Sequence, residues 1–220
     1  MSAARLRSLE HPDLWDYVVH LVGRPGRRSW SLDPAVAAMT AEARVASILR
    51  LERINASRPF GAAQDVVCLT ESTPAGLAYL IGERGYAPWG LVFSKELVFN
   101  AGGAPVLYVR GDEWDELRHL PPRVRARAVK LDPGQSEWLH EREWRVPGTG
   151  HPPAFRFRRQ DVHAVIVGSL DWPPGEPDYR YDPLDESWDV EEVEPEWVGG
   201  IHRWAWLPQQ GRLLQFQRFP

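Results

Sequence analysis

The residues with most to offer chemically lie in the run Glu137-Trp138-Leu139-His140-Glu141-Arg142-Glu143-Trp144-Arg145-Val146. Read with the two-residue period of a strand, Glu141, Glu143 and Arg145 share one face, while Arg142, Trp144 and Val146 share the other. Two carboxylates and a guanidinium then project together. Like charges this close push one carboxyl pKa up, so the face must be wet, paired or used. A used face is a carboxylate site. A wet or paired one is an edge strand with solvated charges, Arg145 neutralising one glutamate.

The elements that would position this run come from a chain of 220 residues, 43% hydrophobic and 11% aromatic, enough for a sizeable core. The 20 Pro and 18 Gly imply short elements joined by turns rather than long helices. A single Cys68 excludes an intramolecular disulfide and any cysteine-rich metal site, which fits a reducing cytoplasm. No apolar run approaches the roughly 20 residues that span a bilayer, so a soluble cytoplasmic protein without a membrane partner is expected. The net charge of -4 is uneven: from Glu176 to Glu196 there are ten acidic residues and one Arg, which leaves 25 basic against 20 acidic residues elsewhere, a net of +5. Such a segment is a solvated loop, or a cover that competes with a polyanion for a basic groove.

Residues 1–16 read as an N-terminal extension. Tyr17 to Arg24 is β-branched and aromatic and predicts a first strand, with His20 in its middle and Gly23 and Pro25-Gly26 to end it. His20 reads as a core histidine with one satisfied nitrogen, or as a hydrogen-bond donor to a ligand. A helix is expected over Ala35 to Asn55, with Thr40 as N-cap of its main part. Val66 to Thr70 predicts a buried strand, with Ser72 or Thr73 capping a helix from Pro74 or, for Ser72, touching a ligand. Tyr86 to Phe93 reads as a turn into a further strand, and strands are also expected through Pro105 to Val109, Phe155 to Phe157 and Val162 to Gly168, with Ser94 capping a short helix. Trp114 to Leu131 has a basic helical pattern broken at Pro121-Pro122, residues 173–198 an acidic, Pro-rich loop, and Trp204, Trp206, Leu213, Leu214 and Phe216 return to the core or its rim. The sum is an α+β fold: a single mixed domain over residues 1–220, with six or seven short strands and helices mainly in the first half.

Several chemistries are absent as motifs. There is no Gly-rich phosphate loop, no G-x-G-x-x-G, no H-E-x-x-H and no G-x-S-x-G. His140-Glu141 lacks the helical spacing that brings two ligands to one ion, and no metal is expected. Cys68, in an apolar strand, should stay a protonated thiol.

The ordered set Val67-Cys68-Leu69-Thr70-Glu71, Tyr86 through Trp89-Gly90-Leu91-Val92-Phe93-Ser94-Lys95, Pro105 to Val109, and Glu141-x-Glu143-Trp144-Arg145 resembles the bacterial abortive-infection proteins of the AbiGi type. That resemblance covers roughly residues 17 to 170 and implies phage defence, as toxin or antitoxin. The order of strand with His20, helix, strand with Thr70 and Ser72, and late Glu141-x-Glu143 is also similar, more distantly, to ADP-ribosyltransferases, including the DarT-like enzymes that modify nucleic acid. This likeness implies an ADP-ribosyltransferase-like fold that uses NAD as substrate. It implies Glu143 as the catalytic carboxylate and Glu141 as the residue that orients or deprotonates the acceptor. His20 would hold a ribose of the NAD, Thr70 and Ser72 would supply hydroxyl support, Tyr86, Trp89 or Phe93 would stack on the nicotinamide, and Arg145 would be the charge partner.

Two function classes therefore stand side by side. One is a defence enzyme that transfers ADP-ribose to a nucleic acid or protein acceptor. The other is a non-catalytic antitoxin or phage sensor that acts through a cognate partner, to which the Trp-rich composition and the acidic segment would contribute.

Overall fold

Runs of Val, Ile and Leu with alternating burial organise the chain around one eight-stranded sheet, seen in a computed structural model that describes residues 14–24, 34–59, 62, 64–134, 138–173, 176–182, 187–193 and 198–216. The extension 1–16 and the basic segment after Arg24 fall almost wholly outside those residues. In chain order the elements are β1 (Tyr17–Leu21), α1 (Pro34–Ala38), α2 (Ala41–Leu51), β2 (Arg53–Asn55), β3 (Val66–Thr70), α3 (Pro74–Gly82), β4 (Gly90–Ser94) and α4 (Lys95–Asn100). Then come β5 (Ala104–Pro105), β6 (Leu107–Arg110), α5 (Pro122–Arg125), β7 (Ala128–Leu131), β8 (Glu143–Pro147), β9 (Ala154–Arg156) and β10 (Val162–Val167). The last four are β11 (Glu176–Asp182), β12 (Ser187–Val193), β13 (His202–Leu207) and β14 (Arg212–Phe216).

The main sheet runs β14-β13-β10-β4-β1-β3-β8-β5. Its pairs are antiparallel except β10 with β13, so the sheet is mixed. Three two-stranded ribbons accompany it: β2-β9, β6-β7 and β11-β12. The period of two divides the core cleanly. On one face Val18, Leu91, Phe93, Trp144 and Val165 pack with Leu49 of α2 and with Phe155. On the other, Val19, Val92, Ala164 and Ile166 pack beneath Leu77, Leu80 and Ile81 of α3. No helix among the described residues is long and apolar enough to cross a membrane.

The mixed α+β class and the early helices agree with the sequence reading, but the described residues hold fourteen strands in place of six or seven. Some of the surplus strands have a long-range cause. The helix expected to reach Asn55 ends at Leu51, because Glu52 turns left-handed (φ 49°) and its N–H closes on Ile48 O. Arg53 to Asn55 then pairs with β9, about a hundred residues away in sequence. The helical pattern of Trp114 to Leu131 resolves into a 3-10 turn over Trp114–His119, the single turn α5, and β7, which pairs in parallel with β6. The acidic segment is a strand pair, β11 against β12 in continuous register from Glu176↔Val193 to Asp182↔Ser187, rather than a loop. Caps are where local chemistry sufficed: Thr40, Thr73 and Ser94 each accept from the backbone N–H three residues on.

Candidate functional site

β3 and β8 meet with Thr70 opposite Glu143 and Cys68 opposite Arg145, and β5 flanks β8 on its other side. The charged strand is therefore internal to the sheet, not a solvated edge. Arg145 is 1% exposed and Glu143 9%. Arg145 Nε donates to Glu143 Oε1 at 2.8 Å and Nη2 to Oε2 at 3.3 Å, while Nη1 donates to the carbonyls of Ala126 and Ala128, both at 3.2 Å. Burial works against the guanidinium charge, but Glu143 and Cys68 together offset it and the pKa of Arg145 is raised.

Glu141 is not on the strand. It closes a 3-10 turn over Leu139–Glu141, after which Arg142 adopts a left-handed backbone (φ 44°, ψ 51°) before β8 begins. The end of β3 pins this turn: Thr70 Oγ1 donates to Glu141 O, and Glu71 N–H donates to Arg142 O at 3.1 Å. Arg142 Nη2 reaches back to Glu71 Oε1 at 3.2 Å. The result is that Glu141 and Glu143 both line one cavity of about 80 Å³, together with Thr70, Cys68, Tyr86 and Leu80.

Tyr86 and Arg24 form the polar rim. Tyr86 Oη donates to Glu141 Oε1 at 3.0 Å, and Arg24 Nη2 donates to Tyr86 Oη at 2.6 Å and to Glu141 Oε1. The Arg24 guanidinium also lies 4.0 Å from the centre of the Tyr86 ring, a cation-π contact. Burial first, and then the Glu141 carboxylate, push the Tyr86 phenol pKa up, so it is a proton donor at neutral pH. Cys68 likewise is pushed up by burial and then by Glu143, which keeps the thiol protonated. Ser72 is 2% exposed and bonds Thr70 Oγ1 at 2.8 Å, so its hydroxyl props the threonine.

Not every predicted residue converges here. His20 alternates with Val19 and projects to the opposite face, where its Nδ1 lies 2.9 Å from Cys68 O. Phe93 is fully buried between Phe155 and Phe157, with ring centres 5.4 and 4.9 Å away, and presents no surface for stacking. Trp89 packs edge-on against Trp172 at 5.7 Å, on the His20 side of the sheet. Glu143, Glu141, Thr70 and Tyr86 thus share the small cavity, with Arg145 and Ser72 behind them. His20, Trp89 and Phe93 lie elsewhere.

No family model matches the chain, and no curated protein or solved structure does. The site rests on its own geometry. Sequence reasoning missed three of its residues. Arg24 sits just past β1 and carried no signal beyond its position in a basic stretch. Glu71 is 8% exposed and is gripped on the other face by Lys95 Nζ at 2.5 Å and Trp144 Nε1 at 2.7 Å, besides Arg142. Its place between Thr70 and Ser72 was the available clue, since a carboxylate inside a buried strand end must be paired. Tyr108 Oη is buried without a partner among the described residues, and burial, then Glu143 and Glu141, push its pKa up to about 12. Among the described residues no group of three or more His, Cys, Asp or Glu is placed to hold a metal.

Proposed function

We propose that this chain is a bacterial defence enzyme that consumes NAD and transfers ADP-ribose to a nucleic acid or protein acceptor. The observation that carries the reading is the convergence of Glu141 and Glu143 on one cavity with Thr70 and Tyr86. In the reaction the bond between nicotinamide nitrogen and ribose C1′ breaks, and nicotinamide leaves with the electron pair. Glu143 stabilises the cationic ribosyl group electrostatically. Glu141 takes the proton from the acceptor as the acceptor's lone pair closes on C1′. Arg145 fixes Glu143 through two hydrogen bonds, which leaves each oxygen a further lone pair for substrate.

The cavity of about 80 Å³ is smaller than the roughly 150 Å³ that admits a benzene ring. Binding therefore requires Arg24 to leave Glu141, and a phosphate-bearing substrate provides the countercharge that draws it away. Nicotinamide release from NAD, measured with and without DNA, RNA and cell protein, tests the reading. Turnover by the wild-type chain that falls at least about a hundredfold in Glu143→Gln is expected, in line with loss of one electrostatic stabiliser. NAD left intact with every acceptor refutes it.

A second reading draws on a specific observation: Glu143 is already paired with Arg145, and Glu141 Oε1 with Arg24 and Tyr86. Such a network also suits a non-catalytic antitoxin or phage sensor. That reading predicts that Glu143→Gln leaves protection against phage unchanged while partner capture persists.

A further inference from the structure

On the opposite face of the sheet from the glutamates lies a larger cavity of about 220 Å³, walled by Val36, Ile48, Leu51 and Ile54. Three of its polar lining residues carry the inference. His20 Nδ1 faces the Cys68 carbonyl, and because a carbonyl only accepts, Nδ1 must hold the proton. Burial lowers the imidazole pKa and keeps the ring neutral, although the bond to Cys68 O works the other way. Nε2 is then a lone-pair acceptor, with no partner among the described residues.

Arg44 is committed to structure. Its Nε, Nη1 and Nη2 donate to the carbonyls of Val36, Val22 and Ala37 at 3.0, 3.0 and 3.2 Å. Carbonyl oxygens satisfy its donors but not its charge. Arg53 is different: its Nε is buried with no partner among the described residues. None of the described lining residues is acidic, so two guanidinium charges border a largely apolar space with no countercharge among the described residues that line it. A buried orphan donor, an unpartnered acceptor on the cavity wall and a positive field define what would satisfy them.

We propose that this cavity binds a small amphipathic carboxylate, whose acid group pairs with Arg53 and whose hydroxyl or N–H donates to His20 Nε2. Scaled from the roughly 150 Å³ that admits benzene, the volume admits an apolar body with its polar groups of about nine or ten heavy atoms in all. The site is separate from the glutamate cavity and independent of the NAD reading, because its ligand is neither NAD nor a product of its cleavage.

The test uses the full chain and 3-hydroxybenzoate, followed by calorimetry and by the NMR signals of the histidine rings. Saturable binding that moves the His20 resonances is expected. Benzoate, which lacks the donor, and 3-hydroxybenzyl alcohol, which lacks the charge, should each bind roughly tenfold more weakly. Arg53→Gln should weaken 3-hydroxybenzoate by roughly tenfold, and Ile48→Trp, which fills the space, should abolish it. Absence of saturable binding at concentrations of about 10 mM overturns the proposal, since that is weaker than a specific site of this size should give. So does an Arg53→Gln variant that unfolds like the wild type and binds as tightly. Should Ile48→Trp fail to fold, the Arg53 comparison decides alone.

Discussion

Replacing Arg145 by Met removes the guanidinium from beneath Glu143 while nearly preserving apolar volume, and it should be among the most destabilising substitutions available in this chain. Arg145 is 1% exposed, and every bond it makes goes to a group that is itself buried or in the backbone. Breaking a buried ion pair from one side costs about 3–5 kcal/mol, because the remaining carboxylate has neither solvent nor partner. The carbonyls of Ala126 and Ala128 lose their donor as well, adding about 1 kcal/mol or more. The expected total, about 4–6 kcal/mol, is comparable with the whole stability of many domains. Glu143→Gln should cost less, about 1.5–3 kcal/mol, since a neutral amide still accepts one bond. The pair Arg145→Met with Glu143→Leu should recover much of the loss, for it removes both charges together. Urea unfolding of the wild type, Arg145→Met, Glu143→Leu and the double variant closes a cycle and yields a coupling energy. A magnitude of at least about 2 kcal/mol is expected for residues in direct contact, and one below about 0.5 kcal/mol would refute the account of β8 as an internal strand held by a buried pair.

Two further outcomes are expected. Gly90→Ala should lose about 1–3 kcal/mol in thermal or urea unfolding, because a Cβ there would sit 2.5 Å from the backbone oxygen of His20 on the paired strand, and unchanged stability would mean that β1 and β4 are not so closely registered. His20, with its pKa held below 6.5 by burial, resists protonation in the folded state, so as pH falls below about 6.5 the unfolded chain binds the proton first and stability drops; His163 shifts the same way, and His20→Gln should therefore flatten part of the slope between about pH 6.5 and 5, measured as ΔG against pH.

What could be read from the sequence was whatever local chemistry decides. The caps at Thr40, Thr73 and Ser94 follow from one side chain and the N–H three residues on. The apolar strands β3, β4 and β10 declare themselves through β-branched runs. Two of the strands that escaped have their reason far away in sequence. Arg53 to Asn55 is helical by composition and extended only because β9 waits for it, and Ala128 to Leu131 leaves a helical pattern to pair with β6. The acidic segment has the composition of a solvated loop, yet its alternating Tyr, Trp and Val positions suit a ribbon. Trp89 and Phe93 illustrate the same limit for side chains. An aromatic near a site is indistinguishable in sequence from an aromatic in the core, and here the phenyl ring of Phe93 is claimed by Phe155 and Phe157.

The glutamate pair is the instructive case, because its two members reach the same face by a route that strand periodicity does not describe. Alternation puts residues 141 and 143 on one side only if both are extended, and Glu141 belongs to a 3-10 turn. The left-handed backbone of Arg142 (φ 44°) redirects the chain between them. An arginine there costs about 1 kcal/mol relative to glycine, the residue best suited to that conformation. The Arg142 side chain offsets this by reaching Glu71, and the carbonyls on either side of the strained position are held by Thr70 Oγ1 and Glu71 N–H. Thr-Glu-Ser at the end of β3 is thus the template on which the turn is laid. Thr70 positions Glu141, Glu71 holds Arg142, and Ser72 buttresses Thr70. Arg142→Gly separates these roles: it relaxes the backbone but deletes the tether. If the tether is what aligns the carboxylates, the glycine variant keeps its stability within about 1 kcal/mol yet loses the proposed turnover of NAD, whereas Arg142→Lys, which retains a cation for Glu71, keeps more of it. Equal turnover in the glycine variant and the wild type would show that β3 and the backbone alone set the geometry.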